Sequence, residues 1–250
     1  MIEVAKKAAL EAGKEVMKYF DQKCTSNIKK DGSFVTEADL ASEKIILKHL
    51  QDNFPTHSIM SEEAGFIDKS SEYCWYIDPI DGTHNFKYGY PTFGISLALA
   101  KDKNLILGLI YFPATDELLF AEKGKGAFLN DIKVSVSDRN LNNSVFLARI
   151  GRSRKKNNDC FKLLSNHVRD IRVYGASVYN IYCIATGKAD LHVAGETKIY
   201  DDAASKVIIE EAGGKVTNLD GSKFNSDSNS VISSNAIFHD EIIEILKEVK

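Results

Sequence analysis

Asp78-Pro79-Ile80-Asp81-Gly82-Thr83-His84-Asn85-Phe86 decides how the rest of this chain is read. Two carboxylates flank a stiff Pro-Ile step, and a glycine and a hydroxyl follow at once. The preceding run, Tyr73-Cys74-Trp75-Tyr76-Ile77, is aromatic and β-branched and predicts a strand. Both carboxylates are therefore expected where a strand ends and the chain turns. Proline fixes its own φ and biases Asp78 towards an extended backbone. Asp78, Asp81 and the Ile80 carbonyl then offer three oxygens from one short turn, a donor set suited to a hard cation such as Mg²⁺. Gly82 and Thr83 present backbone N–H groups at an expected helix start, where an anion binds. Cation ligands beside phosphate donors point to metal-assisted phosphoryl hydrolysis.

Outward from this stretch, the 250 residues suit a single domain or two closely packed halves, divided here at about residue 140. A hydrophobic content of 44% and a charged content of 27% are ordinary for a soluble globular protein. A net charge of −3 gives no electrostatic reason to expect nucleic-acid or membrane binding. The apolar runs 93–100 and 105–112 are too short to span a bilayer and suit buried strands. Cys24, Cys74, Cys160 and Cys183 form no C-x-x-C pair, and the N-terminal residues lack the apolar core of a signal peptide. Both features lead to the expectation of a reducing, cytoplasmic setting.

Ala5, Ala8, Ala9, Ala12, Val16 and Phe20 predict a helix over 2–20. A loop at 29–32 follows. A second helix is expected from Thr36 to Asn53, with Leu40, Ile46, Leu47, Leu50 and Phe54 as its apolar face and Pro55 at its end. Strands are expected from His57 to Val136, with turns at Gly124-Lys125-Gly126 and Asn130-Asp131. The remainder alternates: extended at 145–148 and 172–174, helical at 158–167, 177–186, 201–211 and 240–248. This order predicts an α/β (α+β) sandwich in two halves. Trp75 and the tyrosines beside it read as core.

Four motifs in order resemble the inositol monophosphatase family of Mg²⁺-dependent, lithium-sensitive phosphatases. Asp78–Phe86 resembles its D-P-I-D-G-T-x-N-F signature. Ser61-Glu62-Glu63 resembles its G-E-E element, with Ser for Gly. Val35-Thr36-Glu37-Ala38-Asp39 resembles its V-T-x-x-D element. Tyr200-Asp201-Asp202-Ala203-Ala204 with Glu211-Ala212-Gly213-Gly214 resembles its W-D-x-A … E-A-G-G element, with Tyr for Trp.

The resemblance implies a single catalytic phosphatase domain over 1–250, built as a layered αβαβα sandwich of the inositol monophosphatase / fructose-1,6-bisphosphatase type, and two or three Mg²⁺ ions. It implies a first ion on Glu62, Asp78 and the Ile80 carbonyl, a second on Asp78, Asp81 and Asp201, and a weaker third reached by Glu62. Glu63 and Asp202 read as supporting or surface residues. The matching Thr83 and Asp39 hold and activate the attacking water; the local alternative makes Asp39 the far end of a capping box with Thr36. Asp81, Gly82 and Thr83 fall at the phosphate, and Gly175-Ala176-Ser177 matches a substrate loop. A carboxylate that helps recognise inositol hydroxyls falls on Ala194, with Glu196 the nearest acid. Broader members that also hydrolyse fructose 1,6-bisphosphate lack it too. With Lys198 on the same segment and Arg172 before the substrate loop, a second phosphate is an expected substrate feature. A homodimer and competition between Li⁺ and Mg²⁺ are further expectations of the resemblance.

Three other readings stand beside this one. A related nucleotide 3′-phosphatase shows D-P-L-D-G-T-x-E-F, against which Ile80 and Asn85 argue. A catalytically silent binding protein would have lost ligands that this chain keeps. The basic stretch Arg149, Arg152, Arg154, Lys155 and Lys156 reads as a solvated loop, with a second anion site as the alternative.

Overall fold

The computed structural model describes residues 1–20, 26–28, 34–151 and 154–249. Cys24, the loop at 29–32 and Arg152 lie outside them. Helix α1 (Ile2–Val16) is followed by the antiparallel pair β1 (Ser26–Ile28) and β2 (Phe34–Thr36), then by α2 (Glu37–Asn53). Next come β3 (Ser58–Ser61), β4 (Gly65–Ile67), β5 (Tyr73–Asp81) and the short α3 (Thr83–Lys87). Strands β6 (Gly94–Lys101), β7 (Asn104–Phe112), β8 (Glu117–Glu122), β9 (Ala127–Leu129) and β10 (Ile132–Lys133) complete the first half. The second half runs β11 (Val145–Ala148), α4 (Lys155–Leu164), β12 (Asp170–Arg172), α5 (Ser177–Ala185) and β13 (Leu191–Ala194). It ends with α6 (Ile199–Glu211), β14 (Lys215–Thr217), β15 (Val231–Ser234) and α7 (His239–Leu246).

Among the described residues these strands form an eight-stranded sheet, ordered β10-β9-β8-β7-β6-β5-β3-β4, and a five-stranded sheet, ordered β12-β11-β13-β15-β14. Helices α1 and α2 pack on one face of the larger sheet, and α5 and α6 fill the space between the sheets. Helices α4 and α7 cover the outer face of the smaller sheet. The five layers are those of an αβαβα sandwich. Three apolar cores lie between them. The first joins Ala5, Ala9, Ile46, Leu50, Trp75 and Ile77. The second joins Tyr76, Phe112, Ile181, Ala204 and Ile208, and the third joins Phe146, Cys160, Leu164, Ile242 and Leu246. Each fully buried aliphatic side chain contributes about 1.5–3 kcal/mol.

Helix α6 approaches the larger sheet closely because β7 has Gly108 at the crossing. A Cβ there would stand 2.6 Å from the Ala204 carbonyl oxygen, so any larger residue pushes the helix off. That seating fixes where the first turn of α6, with Asp201, meets the end of β5.

Three sequence expectations need correction. Leu40 is 54% exposed, because α2 turns its Asp39, Ser42 and Glu43 side inward with Ala38, Ile46 and Leu50. The extended stretch expected at 172–174 falls earlier, at β12. Finally, β5 does not end before the twin aspartates. It runs through Asp81, with a shift in its pairing to β6 between Asp78 and Asp81: Asp78 faces Ser96 and Asp81 faces Gly94. The three steps on one strand against two on the other make a bulge across Pro79 and Ile80, the kind of place where a sheet accepts proline.

Candidate active site

The bulge in β5 aims both aspartates into a cleft of about 730 Å³ at the junction of the two halves. Glu62, Asp78, Ile80, Asp81, Gly82, Thr83, Gly175, Ala176, Ser177, Lys198 and Asp201 all line it. Asp39 lies behind the wall, fully buried, and reaches the cleft through Thr83.

Local bonds hold each part in place. Asp78 Oδ1 accepts from Ile80 N at 3.0 Å, which fastens the carboxylate to its own turn. Ser42 Oγ on α2 donates to the Pro79 carbonyl at 2.9 Å. Glu43 Oε1 accepts from Ser61 Oγ at 2.5 Å and from Ala64 N at 2.8 Å, bracketing Glu62. The serine that replaces the family's glycine at 61 thus has a partner one helix away. Sequence reasoning missed Ser42 and Glu43; their signal was burial of polar residues on the face of α2 that also carries Asp39.

Gly82 caps α3 with φ +88°, and a Cβ there would meet Ala176 Cβ and Thr92 O at 3.0 Å. The chain can turn this tightly against Ala176 and Thr92 only without a side chain. Asn85 ties the same two segments together: its Nδ2 donates to Thr92 O at 2.8 Å and to Tyr174 O at 2.7 Å. Asp81 Oδ2 accepts from Val178 N at 2.7 Å, in the first turn of α5. The Gly175-Ala176-Ser177 loop is therefore bound to the motif of the first half at several points.

Asp39 closes the capping box with one oxygen and turns the other to Thr83. Oδ2 accepts from Thr36 N at 2.7 Å and from Thr36 Oγ1 at 2.5 Å, while Asp39 N donates to Thr36 Oγ1 at 3.4 Å, completing the capping box. Oδ1 accepts from Thr83 Oγ1 at 3.2 Å. Thr83 Oγ1 also stands 3.0 Å from the Ile80 carbonyl, so its one proton is shared between two acceptors.

The electrostatics of the cleft are strained without a cation. Asp78 is 2% exposed, and burial pushes its carboxyl well above the usual range. Glu62, Asp81, Asp201 and Asp39 push it further in the same direction. Asp81 is raised to about 8, first by burial and then by Asp201, against the pull of Val178 N–H and Arg149. Converging carboxylates in a dry site hold their charge only beside positive charge. An all-oxygen donor set of this kind fits a hard divalent cation. Among the described residues, no three His, Cys, Asp or Glu side chains already form a group able to hold a metal ion. Asp81 and Asp201 each commit an oxygen to a protein partner.

The partner of Asp201 is Arg149, which corrects the solvated-loop reading for Arg149, Arg154 and Lys156; Lys155 is exposed as expected. Arg149 Nη2 donates to Asp201 Oδ2 at 2.7 Å, and Arg149, Arg154 and Lys156 all line the cleft. Strand β11 delivers Arg149 directly beside the first turn of α6. Arg172, in contrast, is exposed on β12 and outside the cleft wall, with Nη1 on the Ile171 carbonyl. Asp202 is fully buried, with Thr197 Oγ1 donating to it at 2.5 Å.

The chain matches the inositol monophosphatase family over residues 1–250. It is 35% identical to a fructose-1,6-bisphosphatase/inositol-1-monophosphatase of Thermotoga maritima, over 89% of this chain and 87% of the relative. It is also 35% identical to a protein of the same description from Aquifex aeolicus, over 99% and 95%. Among solved structures, a Thermotoga maritima IMPase superposes with a TM-score of 0.91 at 32% identity, covering 99% of this chain and 97% of the other. Whole-chain agreement with the family, together with this cleft, makes the chain a member of the inositol monophosphatase family, whose enzymes depend on metal ions, generally Mg²⁺, and thus a phosphoric monoester hydrolase.

Proposed function

We propose that this enzyme hydrolyses the phosphomonoester of a small polyol or sugar, with inositol monophosphate and fructose 1,6-bisphosphate as the candidate substrates. Glu62, Asp78, the Ile80 carbonyl, Asp81 and Asp201 would hold two Mg²⁺ ions, with a third reached by Glu62. The observation that carries the reading is the burial of Asp78 among four other carboxylates, an arrangement that needs divalent charge. Bound Mg²⁺ neutralises the phosphate's charge and acidifies water.

The chain's own residues supply the rest. Thr83 Oγ1 donates to Asp39 Oδ1 and keeps its lone pairs for a water in the cleft. Asp39 draws the proton through that hydroxyl and is itself fixed by Thr36. Gly82 and Thr83 N–H groups lie at the mouth of the same turn as phosphate donors, and Ala176 and Ser177 close the site opposite them. The enzyme acts as one catalytic domain whose two halves, about 1–140 and 141–250, share the cleft. A homodimer, a cytoplasmic setting and lithium sensitivity are part of the same proposal. Free Cys74, Cys160 and Cys183 fit a reducing compartment, and no helix among the described residues is long and apolar enough to cross a membrane.

Substrate choice turns on the cationic wall. Lys198, Arg154 and Lys156 line the cleft together with an acid, Glu196, while Ala194 is buried at the end of β13 and brings no carboxylate of its own. A distal phosphate meets positive charge there. The test compares kcat/KM on fructose 1,6-bisphosphate and inositol 1-phosphate, with and without Mg²⁺, in wild type and Lys198→Ala. The variant should lose about tenfold on the bisphosphate and little on the monophosphate. Equal losses on both remove Lys198 from substrate recognition. Phosphate release without Mg²⁺ overturns the metal assignment.

A further inference from the structure

Arg149 is the buried charge that the reaction above does not use. Its side chain is only 20% exposed at the end of β11. The guanidinium is held on several sides. Nη2 donates to Asp201 Oδ2 at 2.7 Å, and Nη1 donates to Thr197 Oγ1 at 3.0 Å and Ser177 Oγ at 3.3 Å. Nη1 also stands 3.9 Å from Asp202 Oδ2, and Asp202 is fully buried. A fixed positive charge therefore sits on the carboxylate that would receive the second metal ion, and that charge also acts on Asp81.

We propose that Arg149 is a built-in counter-cation that competes with divalent metal for Asp201. The inference rests on the assignment of Asp201 as a metal ligand. An arginine does not lose its proton in a protein, so raising the pH does not relieve the competition. A carboxylate oxygen engaged at 2.7 Å by a guanidinium is a poor ligand until that bond opens. The guanidinium also repels any second cation brought beside it. Arg149 thus makes the Asp201 end the weak, exchangeable end of the site. Before the metal arrives, it neutralises the Asp201 and Asp202 pair of the second half. Leaving that pair buried without a cation would be costly. The ion pair keeps Asp201 occupied without divalent metal and sets how much metal is needed to displace the guanidinium.

The experiment counts Mn²⁺ bound to the full chain by the EPR signal of free Mn²⁺ and by calorimetry, without substrate or phosphate. Arg149→Gln should tighten the weaker class of sites about tenfold relative to wild type, and Arg149→Lys, which keeps the charge, much less. Because Arg149→Gln strips the pair of its cation, it is to be purified with Mn²⁺ present and then dialysed. Thr197→Val, which removes one anchor of the guanidinium, gives a second route and should tighten the same class about twofold to threefold. Unchanged or weaker Mn²⁺ binding in the folded variants overturns the proposal, since it would mean that Arg149 supports the metal or ignores it. Asp201→Asn separates the two layers of the argument. If it abolishes the weaker class while Arg149→Gln does not tighten it, the ligand assignment stands and the counter-cation fails. If Asp201→Asn leaves all Mn²⁺ binding intact, the assignment itself fails.

Discussion

The two ends of the cleft treat buried charge in opposite ways. At the Asp78 end, contributed by the first half, the neighbouring charges that act on the carboxylate are other acids, and its proton is held tightly. At the Asp201 end, contributed by the second half, Arg149 stands 2.7 Å from the carboxylate and close to Asp202. One half therefore presents carboxyls that a proton or a cation from solution must neutralise, and the other brings a cation of its own. Isosteric loss of charge should thus affect the two ends with opposite sign when metal is absent.

Asp78→Asn and Asp201→Asn break or sharpen that contrast most strongly. On the proposed assignment, both lose about a thousandfold or more in kcat/KM, because each removes a charged ligand from a hard-cation site. Their stabilities in EDTA should diverge. Asp78→Asn removes a carboxyl that can be buried among like charges only by taking up a proton, and should gain on the order of 1–3 kcal/mol. Asp201→Asn leaves Arg149 buried with a weaker set of partners and should lose on the order of 2 kcal/mol. Thermal unfolding in EDTA at pH 8 measures both. If both variants move the same way, the description of the two ends as opposites is wrong.

Thr83→Ala tests the first half alone. The hydroxyl joins Asp39 Oδ1 to the cleft and holds no ion, so kcat should fall about 10- to 100-fold. Mn²⁺ affinity should stay within about twofold of wild type. A loss seen mainly as weaker metal binding would make Thr83 a structural brace for the Ile80 carbonyl, 3.0 Å away.

The halves also differed in how far they could be read in advance. The first half announces itself because local rules suffice. A strand composition, a proline and two acids three residues apart mark the turn with Asp78, Asp81 and Thr83, and a capping box marks Asp39 at a helix start; the roles of Asp39 and Thr83 come only from the family resemblance. The bulge that lets β5 continue through Asp81 is a pairing event with β6, and no single strand shows it. In the second half, Asp201 was found through its motif, but its environment was not. Arg149 looked like one basic residue in a polar loop, because burial of a charge depends on which residue lies opposite in space. Its partners Ser177, Thr197 and Asp201 come from three later segments. Ser42 and Glu43 were missed for the same reason, and Leu40 was misplaced because polar residues took the inner face of α2.

Asn85 probes the joint between the halves. Its side-chain amide donates to Thr92 in the first half and to the Tyr174 carbonyl in the second. Asn85→Ala leaves those acceptors unpaired and frees the loop carrying Gly175 and Ala176. KM should rise about threefold to tenfold with kcat less affected, since each lost bond is worth about 1 kcal/mol. Steady-state kinetics on inositol 1-phosphate reads the split. An effect confined to kcat would move Asn85 from holding the loop at Gly175 and Ala176 to shaping the Asp78–Thr83 turn.

Acid should separate the halves by the smallest margin. Each half buries a neutral histidine. His57 lies between Phe54 and Tyr73 with Trp75 Nε1 donating to its Nδ1 at 3.2 Å, and burial lowers its pKa. His239, at the start of α7, is fully enclosed, with Thr217 Oγ1 2.9 Å from Nε2 and Ser234 Oγ 2.8 Å from Nδ1. Burial first, and Lys215 second, bring it down to about 4 from an ordinary 6.5. A base whose folded value lies below its unfolded value binds its proton more readily when unfolded. Its contribution is therefore complete above pH 6.5 and is lost as the pH falls from there through about 4. At pH 4.5 that loss should be on the order of 2 kcal/mol. His239→Gln keeps hydrogen-bonding capacity and cannot charge. Urea unfolding at pH 7 and pH 4.5 should show a smaller acid loss in this variant than in wild type, with the reduction of that order. If the two lose equally, His239 does not set the acid limit of the outer layer on the smaller sheet, and the acid sensitivity belongs to the carboxylates, to His57 or to His192, which is also fully buried with its pKa lowered by burial.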